Sequence, residues 1–74
     1  MIAKADSFGE RLRVARTSRG INQRSLGDMV GVSTISISRY ESGAVDPRLD
    51  MVRRLAKALG VSAAELAGFD EEEE

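Results

Sequence analysis

Seventy-four residues make one small domain, and a chain of this size buries only about 60% of the surface its unfolded form exposes, so modest stability is expected. The chain is 42% apolar, has neither cysteine nor histidine, and carries 11 basic against 12 acidic side chains. Disulfides and thiolate metal sites are thereby excluded, and the commonest zinc ligand and general base are missing, so neither a metal, a cofactor nor an enzyme is expected.

The near-neutral total conceals an asymmetry. Residues 69–74, FDEEEE, hold five of the acids, which leaves a body with eleven basic and seven acidic side chains, net +4. A mildly basic body suits an anionic partner. The opening MIAKADSFGE lacks the apolar core of a signal peptide, and no apolar run approaches a membrane span. A soluble cytoplasmic protein with no membrane partner is expected.

Glycines divide the chain. A first helix is expected over about 7–19, opened by the capping box Ser7/Glu10, striped by Phe8, Leu12 and Ala15, and ended at Gly20. A second, over about 22–30, has Asn22 as its N-cap, Leu26, Met29 and Val30 as its apolar stripe, and Gly31 as its stop. Gly27 inside it costs roughly 1 kcal/mol against alanine, which suggests that the next helix crosses close by.

The third stretch, GVSTISISRYESG, alternates Ile35 and Ile37 with Ser36 and Ser38, as a half-buried strand would. A lone strand has no partner to pair with, however, and Ser33 stands where a helix cap belongs, so a helix over about 33–42 is expected. Ile35 and Ile37 then lie about 200° apart and cannot share one core. A fourth helix is expected over about 47–59, with Asp46 capping and Pro47 in its first position, inward residues Val52, Leu55, Ala56 and Leu59, and Gly60 after it. A fifth, over about 62–67, opens with the capping box Ser62/Glu65 and stops at Gly68. Only Gly31-Val32 separates the second and third helices, and so short a linkage sets them at a steep angle, which is the helix-turn-helix unit.

INQRSLGDMVGVSTISISRYESG resembles the helix-turn-helix of the phage repressor and Cro-like (XRE-type) DNA-binding family, and LAKALGVSAAEL resembles its fourth and fifth helices. The resemblance runs from about Gly9 to Leu66. Its most specific pieces are Gln23, Leu26, Gly31-Val32-Ser33, Ile37-Ser38, Glu41, Gly43, Pro47 and Ala58-Leu59-Gly60-Val61. It implies an all-α, five-helix DNA-binding domain over residues 1–69, with the helix-turn-helix at about 22–42, its third helix in the major groove, and an acidic tail at 70–74. It also implies phosphate contacts from Asn22 and Gln23, and a buried ion pair between Arg16 and Glu41. Chemistry supports the pair: Glu41 follows Ile37 by one helical turn on the inward face, where an unpaired carboxylate is costly. The sequence departs from the family at Gly27, where alanine is usual, and at Ala44-Val45-Asp46, which lacks the basic residues common in that loop. The third departure is Thr34-Ile35-Ser36, which is less polar than the usual recognition residues.

With Ile37, Tyr40 and Glu41 turned inward, Ile35, Ser38, Arg39 and Ser42 face out, with Thr34 and Ser36 on the shoulders. The early turns of a helix seated in the major groove reach base edges. Ser33, Thr34, Ile35, Ser38 and Arg39 are therefore the expected base contacts: isoleucine against a thymine methyl, hydroxyls to bases, arginine to guanine or phosphate. Asn22, Gln23, Arg24, Ser36 and Arg48 are the expected phosphate contacts. Arg11, Arg13, Arg19, Arg53 and Arg54 are expected to lie on solvated helix faces.

One such domain covers a half-site, so double-stranded DNA with a near-palindromic operator and a homodimer are the expected partners. Leu66 and Phe69 are the apolar candidates for the dimer interface, Phe69 being equally suited to capping its own core. The tail is expected to be solvated, or else to compete with DNA for the basic face. A regulatory protein partner, as for an antitoxin-type module of the same fold, is the second reading.

Overall fold

Caps written into the sequence set the helix starts. The computed structural model describes residues 7–68, which form α1 (Phe8–Ser18), α2 (Gln23–Val30), α3 (Thr34–Ser42), α4 (Leu49–Leu59) and α5 (Ala63–Ala67), with no strand among the described residues. Ser7 Oγ accepts the Glu10 N–H at 3.1 Å, Asn22 Oδ1 that of Ser25 at 2.8 Å, Ser33 Oγ that of Ser36 at 3.1 Å, and Ser62 Oγ that of Glu65 at 2.9 Å. Each such cap contributes on the order of 1 kcal/mol. Gly31, Gly43, Gly60 and Gly68 close their helices at left-handed φ of 82°, 85°, 73° and 85°.

The start of α4 differs from expectation. Arg48, extended at φ −71° and ψ 164°, is the N-cap and makes no side-chain capping bond, so Pro47 lies outside the helix rather than in its first position. Proline's fixed φ suits extended and helical backbone alike, so the Asp46-Pro47 pair did not decide the boundary. The first helical rung is instead Val52 N–H to Arg48 O at 3.0 Å, and Asp50 faces the positive end of the helix.

Leu12, Leu26, Val30, Ile37, Val52, Leu55, Ala56, Leu59 and Leu66 form the buried core, and all five helices contribute to it. Met29, expected in the α2 stripe, is 55% exposed. Leu26 and Val30, one turn apart, define the inward line, and Met29 is rotated about 100° from Val30. Helix α3 packs on both α1 and α2, while α5 packs on α1 and α4.

Two helical glycines let backbones touch. A Cβ at Gly27 would lie 2.6 Å from Val32 O, and one at Gly9 only 2.2 Å from Glu41 O and 2.8 Å from Tyr40 O. The first of these approaches sets the turn between α2 and α3; the second seats the start of α1 on the end of α3.

Arg11 is half-buried rather than solvated, and Arg19, exposed as expected, also bonds to the fold. Arg11 Nε and Nη2 donate to Leu66 O at 2.7 Å and Ala67 O at 2.9 Å, and Arg19 Nη1 donates to Leu59 O at 2.8 Å. Both cations thus satisfy open carbonyls at the C-terminal ends of α5 and α4, where positive charge is favoured.

Candidate nucleic-acid interface

The position of α3 follows from the turn before it. The N–H groups of Gly31 and Val32 both return to Gly27 O, at 2.8 and 2.9 Å, and Val32 packs against the core. The chain therefore reverses over two residues, and α3 begins across α2 where Gly27 leaves room. Ile37, with no exposed surface, anchors it from below.

Glu41 anchors its far end. The carboxylate, 6% exposed, receives Arg16 Nε at 2.6 Å and Nη2 at 3.1 Å, a two-point bond from a guanidinium that is 12% exposed. Arg16 Nη1 donates further to Ile21 O at 2.9 Å, and Gln23 Nε2 donates to Glu41 Oε1 at 3.1 Å. One acid thereby ties α1, α2 and α3 together with its lone pairs engaged, which a buried charge requires. Removing one partner of such a pair costs about 3–5 kcal/mol, against under 1 kcal/mol for an exposed one.

Tyr40 packs against the core beside them, as expected, and most of the other α3 side chains face out. Ile35 is 64% exposed, and Thr34, Ser38, Arg39 and Ser42 are exposed around it. The expected base-contacting residues Ser33, Thr34, Ile35, Ser38 and Arg39 thus come together on one helix and its cap. They differ in chemical freedom. Ser33 Oγ accepts the Ser36 N–H and donates to Ser36 Oγ at 3.2 Å, so its hydroxyl serves the helix start. Ser42 Oγ is drawn back to Arg39 O at 3.2 Å.

The expected phosphate-contacting residues are less uniform. Asn22 and Arg24 are exposed at the start of α2, Ser36 is half-buried beside Ser33, and Arg48 is exposed at the start of α4. Gln23 is half-buried and already holds Glu41. Its amide nitrogen has two hydrogens, and one remains for an outside acceptor.

Charge is divided along the chain. Arg11, Arg16 and Arg19 bond to the fold, and Arg13 pairs with Glu10 one turn away, a hydrogen bond and charge that hold its pKa above the ordinary arginine value. Arg24, Arg39, Arg48, Arg53, Arg54 and Lys57 make no ion pair among the described residues. Among the described residues, the cations outside both the ion pairs and the carbonyl-bonding set therefore run from Arg24 onward.

Leu66 does not fit its expected place at a dimer interface. It is 2% exposed, buried by α1 and α4 in the core of its own chain. Phe69 and the acidic residues 70–74 lie outside the described residues. Gly9 and the capping roles of Arg11 and Arg19 were missed in the sequence, because each depends on which distant backbone arrives beside it. The only local hint was a glycine within the first turn of a helix, where no turn required one.

Five helices around one core, a two-residue glycine turn and an outward third helix define a helix-turn-helix domain. The chain belongs to the helix-turn-helix family of phage-repressor-like transcriptional regulators, whose profile matches residues 12–66. It is 40% identical over 55 residues to the SPbeta prophage-derived HTH-type transcriptional regulator YonR of Bacillus subtilis, covering 74% of this chain and 51% of that protein. It is 36% identical over 64 residues to the cryptic phage CTXphi transcriptional repressor RstR of Vibrio cholerae, covering 86% and 58%. The chain spans about half the length of these curated relatives. The fold is similar, with a TM-score of 0.82 and 38% identity, to the P22 c2 repressor solved in complex with a synthetic operator, over 88% of this chain and 98% of that one. No helix among the described residues is long and apolar enough to cross a membrane.

Proposed function

We propose that this chain is a sequence-specific DNA-binding transcriptional regulator that places α3 in the major groove of a near-palindromic operator as a homodimer. The observation that carries this reading is Ile35: a large aliphatic side chain, 64% exposed, centred in a face of hydroxyls and one arginine. On a bare surface that residue gains nothing. In a major groove it meets thymine methyls while Thr34 and Ser38 reach polar base edges and Arg39 reaches guanine O6 and N7 or a phosphate. Ser33 shapes the start of that face and contacts bases from its cap position.

Asn22, Gln23, Arg24, Ser36 and Arg48 are assigned to the phosphates on either side. Support comes from the helix N-termini at Asn22 and Arg48, whose free N–H groups and dipoles favour anions. Glu41 holds the Gln23 amide in one orientation, which spares part of the ordering cost on binding. The relatives named as transcriptional repressor and regulator, and the c2 repressor bound to its operator, support the DNA-binding reading as a whole.

The test is selection of bound duplexes from a random pool with the purified chain, followed by footprinting of the winners. Two related half-sites about one helical turn apart are expected, with log K falling against log[salt] by about 0.9 for each phosphate neutralised. A pool that never enriches, with binding indifferent to salt, refutes the proposal and favours a partner protein as the ligand.

A further inference from the structure

A second surface lies away from α3. The side of α1 that carries Val14, Ala15 and Ser18, together with the end of α4 and the start of α5, encloses an open groove of about 440 Å³. No residue of α2 or α3 lines it. Its floor is apolar, built from Val14, Ala15, Leu59 and Val61, and Val14 is 43% exposed there. Its rim carries two guanidinium groups, Arg11 and Arg19, and one carboxylate, Glu65.

We propose that the segment following Gly68 docks in this groove, with Phe69 on the apolar floor and the acids after it along the arginine rim. Three observations converge. First, the chain leaves α5 at the groove: Gly68 lies directly against the Arg11 guanidinium, with the position of an added Cβ only 2.7 Å from it. Second, the next residue is the aromatic Phe69, followed at once by Asp70 and four glutamates, an order that matches an apolar trough bordered by cations. Third, an extended chain covers about 3.3 Å per residue, so a few residues beyond Gly68 traverse a groove of this size. The two arginines are fixed in place by the Leu66, Ala67 and Leu59 carbonyls, so little side-chain entropy is lost when carboxylates meet them. Glu65 is the one repelling group on the rim.

The consequence is that the acidic segment covers an apolar face of its own chain and stays off the recognition helix. DNA binding is then left to α3 without competition from the acids.

The chain has no cysteine, so Glu72→Cys gives a single attachment point for a nitroxide label. In the NMR spectrum of the labelled chain, the amides of Val14, Ser18 and Val61 should broaden strongly while those of Ile35 and Ser38 stay sharp. Adding Phe69→Ala should lose that pattern and lower the melting temperature by roughly 5–10 °C. Broadening centred on Arg24, Ser38 and Arg39 would overturn the proposal in favour of a segment that mimics DNA. Broadening seen only when labelled natural-abundance chain is mixed with unlabelled isotope-enriched chain would overturn it in favour of a second copy in the groove. Uniformly sharp amides would show a segment that docks nowhere.

Discussion

Ile35→Ala isolates what α3 contributes to sequence reading. The substitution removes three carbon atoms, each worth about 0.8 kcal/mol when buried. Ile35 is 64% exposed in the free chain, so about two-thirds of that area closes only against a ligand. The loss on DNA is then about 1.5 kcal/mol for each half-site read, roughly tenfold in Kd. The folded chain loses the remaining third, under about 1 kcal/mol, and alanine's better helix propensity returns about 0.4 kcal/mol of it. Fluorescence anisotropy should be run on three duplexes: the selected operator, the same operator with deoxyuridine for thymine, and a scrambled sequence. The wild-type chain should lose affinity when the methyls go, and Ile35→Ala should lose it only where methyls are present. A loss of equal factor on all three duplexes would refute the reasoning, since the side chain would then act through folding or helix position rather than through a base.

Other substitutions separate structure from recognition. Arg16→Met should cost about 3–5 kcal/mol in urea unfolding by stranding the Glu41 carboxylate, and the double variant Arg16→Met/Glu41→Leu should regain much of it. Equal midpoints for the wild-type chain and Arg16→Met would contradict the buried pair. Gly9→Ala must push α1 off the Glu41 carbonyl and should destabilise by at least about 1–3 kcal/mol, so an unchanged thermal melt would deny that contact. Arg24→Gln and Arg48→Gln should each flatten the salt dependence of operator binding by about 0.9 for each half-site occupied while leaving the melting temperature in place. Arg19→Gln should do the reverse, lowering the melting temperature and sparing the salt slope, because its guanidinium serves the end of α4. Identical salt slopes for Arg24→Gln, Arg19→Gln and the wild-type chain would remove the phosphate assignment of Arg24.

Local chemistry explains where the sequence was readable. Ser7, Asn22, Ser33 and Ser62 cap their helices through bonds that span three residues, so the signal and its cause are neighbours. The terminal glycines act through their own φ, again without help from elsewhere. The start of α4 was not readable, since Pro47 fits extended and helical backbone alike. Met29 illustrates the same limit: its hydropathy suits a core, and only the direction from which α4 and α3 approach α2 leaves it in water.

Of the candidate interface, the outward set on α3 was legible because helical rotation places Ile35 opposite Ile37 whatever surrounds them. The division of the arginines was not. Arg11, Arg16, Arg19, Arg24 and Arg39 are alike in sequence, and each takes its role from what arrives beside it. For Arg11 and Arg19 that is a helix end with open carbonyls; for Arg16 it is a buried carboxylate. Arg24 and Arg39 meet no acid of their own chain among the described residues. Interactions spanning three or four residues are fixed as soon as the chain is written. A partner forty or fifty-five residues away is chosen only when the helices close on their core, and that closure decided which positive charges face outward.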